Sequence, residues 1–132
     1  MALGNDPPSC GTARPSSTVL WPPLGQQVRV QIIGIADPNG DGFTVSVTAI
    51  TQDEPVSGLT RRDTGPDAQI AGGVALLKAQ RGANGNGRVY RVGFTATDSR
   101  GAACAGFVTV SVPMRRGRAA VDDGQHFVST HP

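Results

Sequence analysis

Alternation of apolar and polar side chains is clearest over residues 88–112. Every second residue is apolar over 90–96, and the same period of two returns over 108–112. That period places one face of a strand against a core and exposes the other face. Between the two runs lies Asp98-Ser99-Arg100-Gly101, a combination of residues typical of a tight turn. The pattern predicts an antiparallel hairpin and an all-β fold.

Weaker alternation marks further strands. Residues 27–35 and 43–50, joined by a loop with two glycines, predict a second hairpin-like pair. We expect the apolar side chains of this pair to face the core: Val28, Val30, Ile32, Phe43, Val45 and Val47. Shorter runs occur at 18–21, 70–71 and 74–79. About seven short strands separated by turn residues predict an Ig-like antiparallel β-sandwich, with Tyr90 in the position of a tyrosine corner, where its hydroxyl bonds to nearby backbone.

The chain divides into three parts around that sandwich. Its 132 residues fit one domain, with the sandwich over residues 18–113. Residues 1–17 are rich in Pro, Ser and Gly, which predicts an extended leader. Residues 114–132 form a tail in which 126–130 is strand-prone. We expect this tail either to be disordered or to dock on an open sheet edge of its own or a neighbouring copy, the latter leading to self-assembly.

Composition and charge narrow the class of partner. The chain holds 18 Gly and 10 Pro, and its net charge is +2. Arg115, Arg116 and Arg118 form the one basic cluster, and the aromatic residues are scattered, whereas a nucleic-acid surface combines a basic stripe with stacking aromatics. No apolar run is long enough to cross a membrane. We therefore expect neither nucleic-acid binding nor membrane insertion.

The two cysteines, Cys10 and Cys104, help to predict the cellular compartment of the protein. Neither belongs to a C-x-x-C pair, so a zinc site is not expected. Strands rich in Thr and Gly and nearly free of Lys favour a secreted or cell-surface protein, in which the two would form a disulfide. Two buried free thiols are the alternative. The first four residues lack the start of a signal peptide, so we expect a domain of a longer exported protein.

A loop with regularly spaced oxygen ligands predicts a calcium site. Asp37, Asn39 and Asp41 stand at alternate positions before Gly42, so their oxygens can point to one centre. Position twelve of the loop is Thr48 and not the Glu of an EF-hand, so carboxylates from elsewhere must complete the site. The candidates are Asp53, Glu54, Asp63, Asp67 and Asp98. The alternative is that all of these are ordinary turn residues.

Patterns typical of catalysis are weak in this chain. His126 and His131 both lie in the tail, and no serine stands in a nucleophile elbow. The glycine-rich segment 82–87 does not stand at a strand–helix transition, as a phosphate loop does. We predict that the chain is not an enzyme.

Several motifs taken together resemble a known family. They are V-L-W-P-P, A-D-P-N-G-D-G, I-T-Q-D-E-P-V, G-P-D-A and G-N-G-R-V-Y, followed by F-T-A-T-D with Gly101 and Cys104 after it. In this combination the chain resembles bacterial extracellular Ig-like modules and is similar to the cadherin-like and PKD-like domains of secreted and surface proteins. The resemblance runs from about Cys10 to the V-D-D-G of the tail. It implies a non-catalytic sandwich, often in tandem with others or appended to an exported enzyme.

Two functions fit this resemblance. The first is a structural or adhesive module outside the cell, stabilised by calcium, whose partners are neighbouring domains or other copies of itself. The alternative is a carbohydrate-binding module of a secreted enzyme, with surface glycans as ligands. That function needs a row of exposed aromatic residues to stack on sugar rings. Tyr90 and Phe94 belong to the predicted core, so the pattern favours the structural module.

Overall fold

A computed structural model describes residues 6–40, 42–56, 65–83 and 85–131. Within these residues the chain forms eight strands and no helix. The strands are β1 (Arg14–Pro15), β2 (Gln27–Ile33), β3 (Phe43–Gln52), β4 (Ala68–Ala71), β5 (Val74–Lys78), β6 (Arg88–Asp98), β7 (Ala103–Val112) and β8 (Phe127–Val128). The all-β prediction is confirmed.

The strands form two antiparallel sheets of four strands each. Their orders are β1-β2-β5-β4 and β7-β6-β3-β8. Leaving β8 aside, the seven other strands follow the order of the constant-type immunoglobulin fold, with four strands in one sheet and three in the other. The predicted Ig-like β-sandwich is therefore confirmed, and the tail adds one strand beside β3.

The predicted hairpin at the centre of the chain forms as β6 and β7. Its register runs without a bulge from Arg88 opposite Val112 to Thr97 opposite Ala103. Gly101 closes the turn with a φ of 92°, a conformation that favours glycine. The inward faces of both strands are apolar and fill the space between the sheets, where they pack with residues of β2, β3 and β5. The larger apolar members of this core are Leu20, Val30, Ile32, Val47, Ile50, Leu77, Tyr90, Val92, Phe94, Val108, Val110 and Val112.

The segments 27–35 and 43–50 are not a hairpin, contrary to expectation. β2 pairs with β1 and β5, whereas β3 pairs with β6 and β8, so the connection between β2 and β3 crosses from one sheet to the other. Each segment has one apolar face, and both faces are buried by lying across the core from one another. A bulge between Val47 and Ala49 also shifts the phase of β3. Ile50 and Gln52 are buried as a result, while Phe43 at the sheet end stays 38% exposed.

The leader contributes to both sheets. β1 lies within the segment expected to be an extended leader and pairs with β2. Residues 18–21, expected to be a strand, make a single parallel bridge in which Val19 lies opposite Ser111 of β7. The leader thus passes from the first sheet to the edge of the second.

The tail joins the two sheets at the opposite side of the sandwich. Thr51 and Gln52 of β3 pair with β8 of the same chain. The Ser129 amide donates to the carbonyl of Ile50 (2.9 Å), and the Ser129 carbonyl accepts from the amides before and at the start of β4 (2.9 and 3.0 Å). The tail therefore bonds to the backbone of β3 in one sheet and to the backbone at the start of β4 in the other.

Candidate functional site

Charged side chains meet inside one end of the sandwich. Arg88 Nε lies 3.0 Å from Glu54 Oε1, and Arg88 Nη1 lies 3.0 Å from Asp67 Oδ2. The side chains of Arg88 and Asp67 are fully buried, and that of Glu54 is 11% exposed. Lys78, at the rim, lies 4.0 Å from the other oxygen of Asp67. Because an isolated buried charge is costly, the two carboxylates and the guanidinium depend on one another.

Strand ends bring these groups together. Arg88 is the first residue of β6 and stands two residues before Tyr90, so it lies on the inward face of that strand. Glu54 follows the end of β3, and Asp67 precedes the start of β4. The two carboxylates therefore come from strands of different sheets and meet at one guanidinium between them.

Two neutral side chains complete the cluster. Gln52 Nε2 donates to Asp67 Oδ2 (2.9 Å) and to the Glu54 carbonyl (2.9 Å). The Tyr90 hydroxyl accepts from Arg88 Nη1 (3.1 Å) and donates to the carbonyl of Lys78 (2.7 Å); it bonds to backbone as predicted, but at the end of β5 and not within the connection just before Tyr90, as a tyrosine corner would. We call the set of Gln52, Glu54, Asp67, Arg88 and Tyr90 the buried polar cluster. It ties β3 and β6 of one sheet to β4 and β5 of the other.

The carboxylates beside this cluster also hold loop backbone. The Gly82 amide donates to both oxygens of Glu54 (3.1 and 3.0 Å), which fixes the connection after β5. Asp53 accepts from the amides of Val89 (2.8 Å) and Asp123 (3.1 Å), the second of which belongs to the tail. Glu54 thus anchors the connection after β5, and Asp53 links the start of β6 to the tail.

Burial is the largest single influence on the pKa values of Asp53, Arg88 and Tyr90. Burial raises the pKa of Asp53, although the amides of Val89 and Asp123 act to lower it. Burial alone would lower the pKa of Arg88, but Tyr90 and the neighbouring carboxylates outweigh that effect and raise it. Burial also raises the pKa of the Tyr90 hydroxyl above its ordinary value of 10.0. Arg88 therefore stays charged and Tyr90 stays neutral well into the alkaline range.

Arg88 and Gln52 are the members of the cluster that sequence reasoning missed. Alternation over 88–96 already places Arg88 in phase with Tyr90, Val92 and Phe94, so a charged residue on the apolar face was a visible signal. Such a residue requires a buried partner of opposite charge, and Glu54 is the one glutamate of the chain. No comparable signal marked Gln52, because the bulge in β3 changes which residues face inward.

Three other predicted calcium ligands, Asp37, Asn39 and Asp98, lie at the opposite end of the sandwich. Asp37 Oδ1 accepts from the Asn39 amide (2.8 Å), and Asn39 Oδ1 accepts from the amide of Asp6 (2.9 Å). Asp98 Oδ1 accepts from the amides of Arg100 and Ala102 (2.9 Å each) in the turn between β6 and β7. These carboxylates and amides shape their own turns. The two loops are neighbours, since the Ser99 amide donates to the Gly42 carbonyl (3.0 Å).

The predicted calcium ligands are thus divided into two groups. Glu54 and Asp67 pair with a guanidinium, whose positive charge opposes a cation at that place. Asp37, Asn39 and Asp98 belong to adjoining loops at the other end. Among the described residues no group of three or more His, Cys, Asp or Glu side chains is placed to hold a metal ion. Asp41 and Asp63 lie outside the described residues, and the calcium site stays a prediction.

Cys10 and Cys104 form the predicted disulfide. Their Cα atoms are 5.9 Å apart, and the bond joins positions separated by 94 residues in sequence. Cys10 lies in the leader just before β1, and Cys104 is the second residue of β7. The bond therefore attaches the leader covalently to the far sheet.

A shallow groove follows the exposed side of β7. Two adjoining pockets, of about 410 and 280 Å³, share Thr18 and Thr109 in their walls. Hydroxyl groups and one carboxylate from Thr18, Thr109, Ser111 and Asp122 share the wall of the larger pocket with valine and alanine side chains, while Phe107 borders the smaller one. The groove thus combines hydrogen-bonding groups with apolar surface.

The two exposed phenylalanines, Phe43 and Phe107, do not lie on one surface. All six aromatic residues lie in described segments, and Tyr90 and Phe94 are buried in the core. Phe107 lies opposite Gly93 and faces outward, whereas Phe43 lies opposite the buried Asp98 and faces the inner side of the same sheet. Since cross-strand partners share a face, the two exposed phenylalanines are on opposite faces.

Comparison with known proteins adds no relative. No family model, no curated protein and no solved structure matches the chain. Among the described residues no helix is long and apolar enough to cross a membrane.

Proposed function

We propose that this chain is a non-catalytic structural or adhesive module of a secreted or cell-surface protein. The observation that carries the proposal is a sandwich held together from both sides by its terminal segments. The disulfide attaches the leader to β7, and the tail bonds to β3 and β4. A disulfide of this kind persists in oxidising compartments, which supports an extracellular location.

The path of the backbone suits a spacer. The Ser9 amide donates to the carbonyl of Ala36, at the end that carries loop 37–42. Ser129 and the residues after it lie at the other end, beside Gln52 and Asp67. Neighbouring domains attached through these two segments would follow one another in line. Tension between such neighbours would act on a leader and a tail that are both fastened to the sandwich.

The cellular location of the protein tests this proposal. Antibodies against the folded chain should label intact cells of the source organism or detect the protein in the medium. The same chain, isolated from those cells with thiols blocked at lysis, should keep the mass of the disulfide form. Labelling that requires permeabilised cells, together with two free thiols, would contradict an extracellular role.

Calcium forms a separate part of the proposal. Loop 37–42 adjoins the turn that holds Asp98, so oxygen ligands from two loops share one end of the sandwich. Calcium bound there should raise the melting temperature by mass action, since the unfolded chain does not bring these loops together. Asp41→Ala should abolish the difference between melts in calcium and in chelator, with magnesium as the control cation. Identical melts in all three conditions would contradict calcium binding.

Carbohydrate binding remains the alternative, supported by the hydroxyl-lined groove beside β7. The placement of Phe43 and Phe107 on opposite faces favours the structural module instead. A glycan array probed with the purified chain separates the two functions. Binding that is lost in Phe107→Ala and retained in Phe43→Ala would establish the groove as a glycan site.

A further inference from the structure

β7 is a long edge strand without the usual protection against pairing. It lies at the border of the second sheet, with β6 as its one strand neighbour. Its ten residues, A-C-A-G-F-V-T-V-S-V, include no charged residue and no proline. Natural edge strands are kept from pairing with other chains by charges, prolines, bulges, short length or a covering loop. β7 has none of the first four features, and residues 13–20, which run beside residues 107–111, bond to its backbone only at Ser111.

The other described edges are protected. β1 has two residues, one of them Pro15, and β4 has four residues. The border formed by β3 carries the bulge after Val47, whose amide donates to the Gly72 carbonyl (2.9 Å), and β8 covers its far end. β7 differs from these three edges because it is long and has neither a proline nor a bulge.

The direction of the free backbone groups follows from Ser111. Its amide donates to the Thr18 carbonyl (2.9 Å), and its carbonyl accepts from the Leu20 amide (2.9 Å). The backbone polar groups of Ser111 therefore point away from β6. Because backbone groups alternate along a strand, those of Ala103, Ala105, Phe107 and Thr109 point the same way. No backbone partner for these four residues on that side occurs in the described parts of the chain.

We propose that this open stretch pairs antiparallel with β7 of a second copy, around a twofold axis beside Gly106. In that register Ala103 faces Thr109 and Ala105 faces Phe107, and both pairs recur by symmetry. Each of these residues directs its amide and carbonyl at the partner strand. The register uses the whole open stretch and ends where residues 18–20 bond to Ser111.

Three properties of β7 favour a second copy as the occupant. The strand carries no charge, so two copies do not repel one another along it. Phe107 is 56% exposed on the outer face, with the Arg91 guanidinium stacked 4.3 Å from its ring centre. The proposed register places this large side chain beside the small Ala105 of the other copy, and Gly106 beside Gly106. A self-complementary row of this kind suits a closed, symmetric dimer.

The pairing would join two four-stranded sheets into one continuous sheet of two copies. It would also set the two sandwiches side by side, which gives an adhesive module a lateral contact in addition to its in-line neighbours. This inference goes beyond the proposed function and does not depend on it. Pairing is a property of the purified chain, whereas the location experiment above concerns cells, so either proposal can fail alone.

Sedimentation velocity over a wide range of concentrations tests the pairing. The complete chain should shift from monomer to dimer as concentration rises. Ala105→Lys places a charge on the edge, and Ala105→Pro removes an amide that faces away from β6; both should keep the chain monomeric. Thr95→Lys is the matched control, because Thr95 lies directly opposite Ala105 on the central strand β6 and faces outward. This variant should still dimerise.

Two results of these experiments would overturn the proposed pairing. A complete chain that stays monomeric at every concentration overturns the proposal. A dimer that persists in both Ala105 variants also overturns it, because the contact then lies elsewhere. Circular dichroism confirms that each variant is folded, and if the proline variant unfolds, the lysine variant with its Thr95→Lys control decides the result.

Discussion

Removing the guanidinium of Arg88 tests whether the buried polar cluster holds the two sheets together. Arg88→Met keeps a long unbranched side chain and removes both ion pairs of 3.0 Å. Glu54 and Asp67 then keep their charges inside the protein without that counterion. Loss of one partner from a buried ion pair typically costs about 3–5 kcal/mol. Since a domain of this size is stable by about 5–15 kcal/mol, the change should remove a large share of the total.

The position of Lys78 places the expected loss near the lower end of that range. Its ammonium group lies 4.0 Å from Asp67 and is partly exposed, so it can move closer and offset part of the charge. We expect a loss of about 3–4 kcal/mol in the free energy of unfolding for Arg88→Met. At about 3–5 °C per kcal/mol for a domain of this length, the melting temperature should fall by about 9–20 °C.

Urea denaturation with the disulfide intact measures this loss. Arg91→Met is the matched control, because Arg91 lies on the same strand but faces outward over Phe107. It should cost less than about 1 kcal/mol, as exposed cation–aromatic contacts do. A triple variant with Arg88→Met, Glu54→Gln and Asp67→Asn should recover part of the loss, because no buried charge remains in the cluster. If Arg88→Met costs no more than Arg91→Met, the cluster does not stabilise the fold and the reasoning is refuted.

Three further changes test other parts of the structure. Replacing Cys10 and Cys104 by serine should lower the free energy of unfolding by about 4–5 kcal/mol, because the bond closes a loop of 94 residues, and urea titration measures this. Gly87→Ala should cost about 1–3 kcal/mol more than Gly101→Ala, since both glycines have a φ of 92° but only at Gly87 would a new Cβ lie within 2.7 Å of a tail side chain. The one tyrosine, Tyr90, should ionise well above pH 10.0 in the folded chain, as followed by phenolate absorbance. Stability should therefore fall as pH rises above 10.0, because the unfolded chain loses that proton first.

Each of these expectations has a contrary outcome. Equal stability of the wild type and the double serine variant would show that the bond does not restrict the unfolded chain. Equal losses at Gly87 and Gly101 would show that the tail adjusts without cost. A phenolate that forms near pH 10.0 in folded protein would show that Tyr90 is reached by solvent, with Tyr90→Phe as the control for absorbance from other sources.

Sequence reasoning located most strands but predicted the correct neighbour only for the β6–β7 hairpin. The period of two identified β6 and β7, because a half-buried strand repeats its environment every second residue. The same signal identified β2 and β3 and then assigned them to a hairpin that does not exist. A periodic pattern reports that one face is buried, but two strands bury their faces equally well when they lie side by side and when they lie across a core. Loop 34–42 is compatible with both arrangements.

The acidic residues show the same difference between recognising a group from the sequence and knowing its partner. The sequence predicts Asp53, Glu54 and Asp67 as candidate calcium ligands. The structure supplies the guanidinium of Arg88 to two of them and backbone amides to the third. Arg88 is more than twenty residues away from Asp67 in sequence, so only the meeting of the two sheets shows that it is the partner.

Local chemistry and tertiary contacts therefore account for different features of this protein. The all-β class, the turn at residues 98–101 and the inward face of β6 follow from alternation and turn residues, which act between near neighbours in the chain. The disulfide was inferred from composition, because two isolated cysteines in an oxidising compartment have one another as partners. The sheet order, the buried polar cluster, the docking of the tail on β3 and the open edge of β7 depend on contacts between distant segments. Those contacts form only when burial of the apolar faces brings the sheets together, so no local pattern carries them.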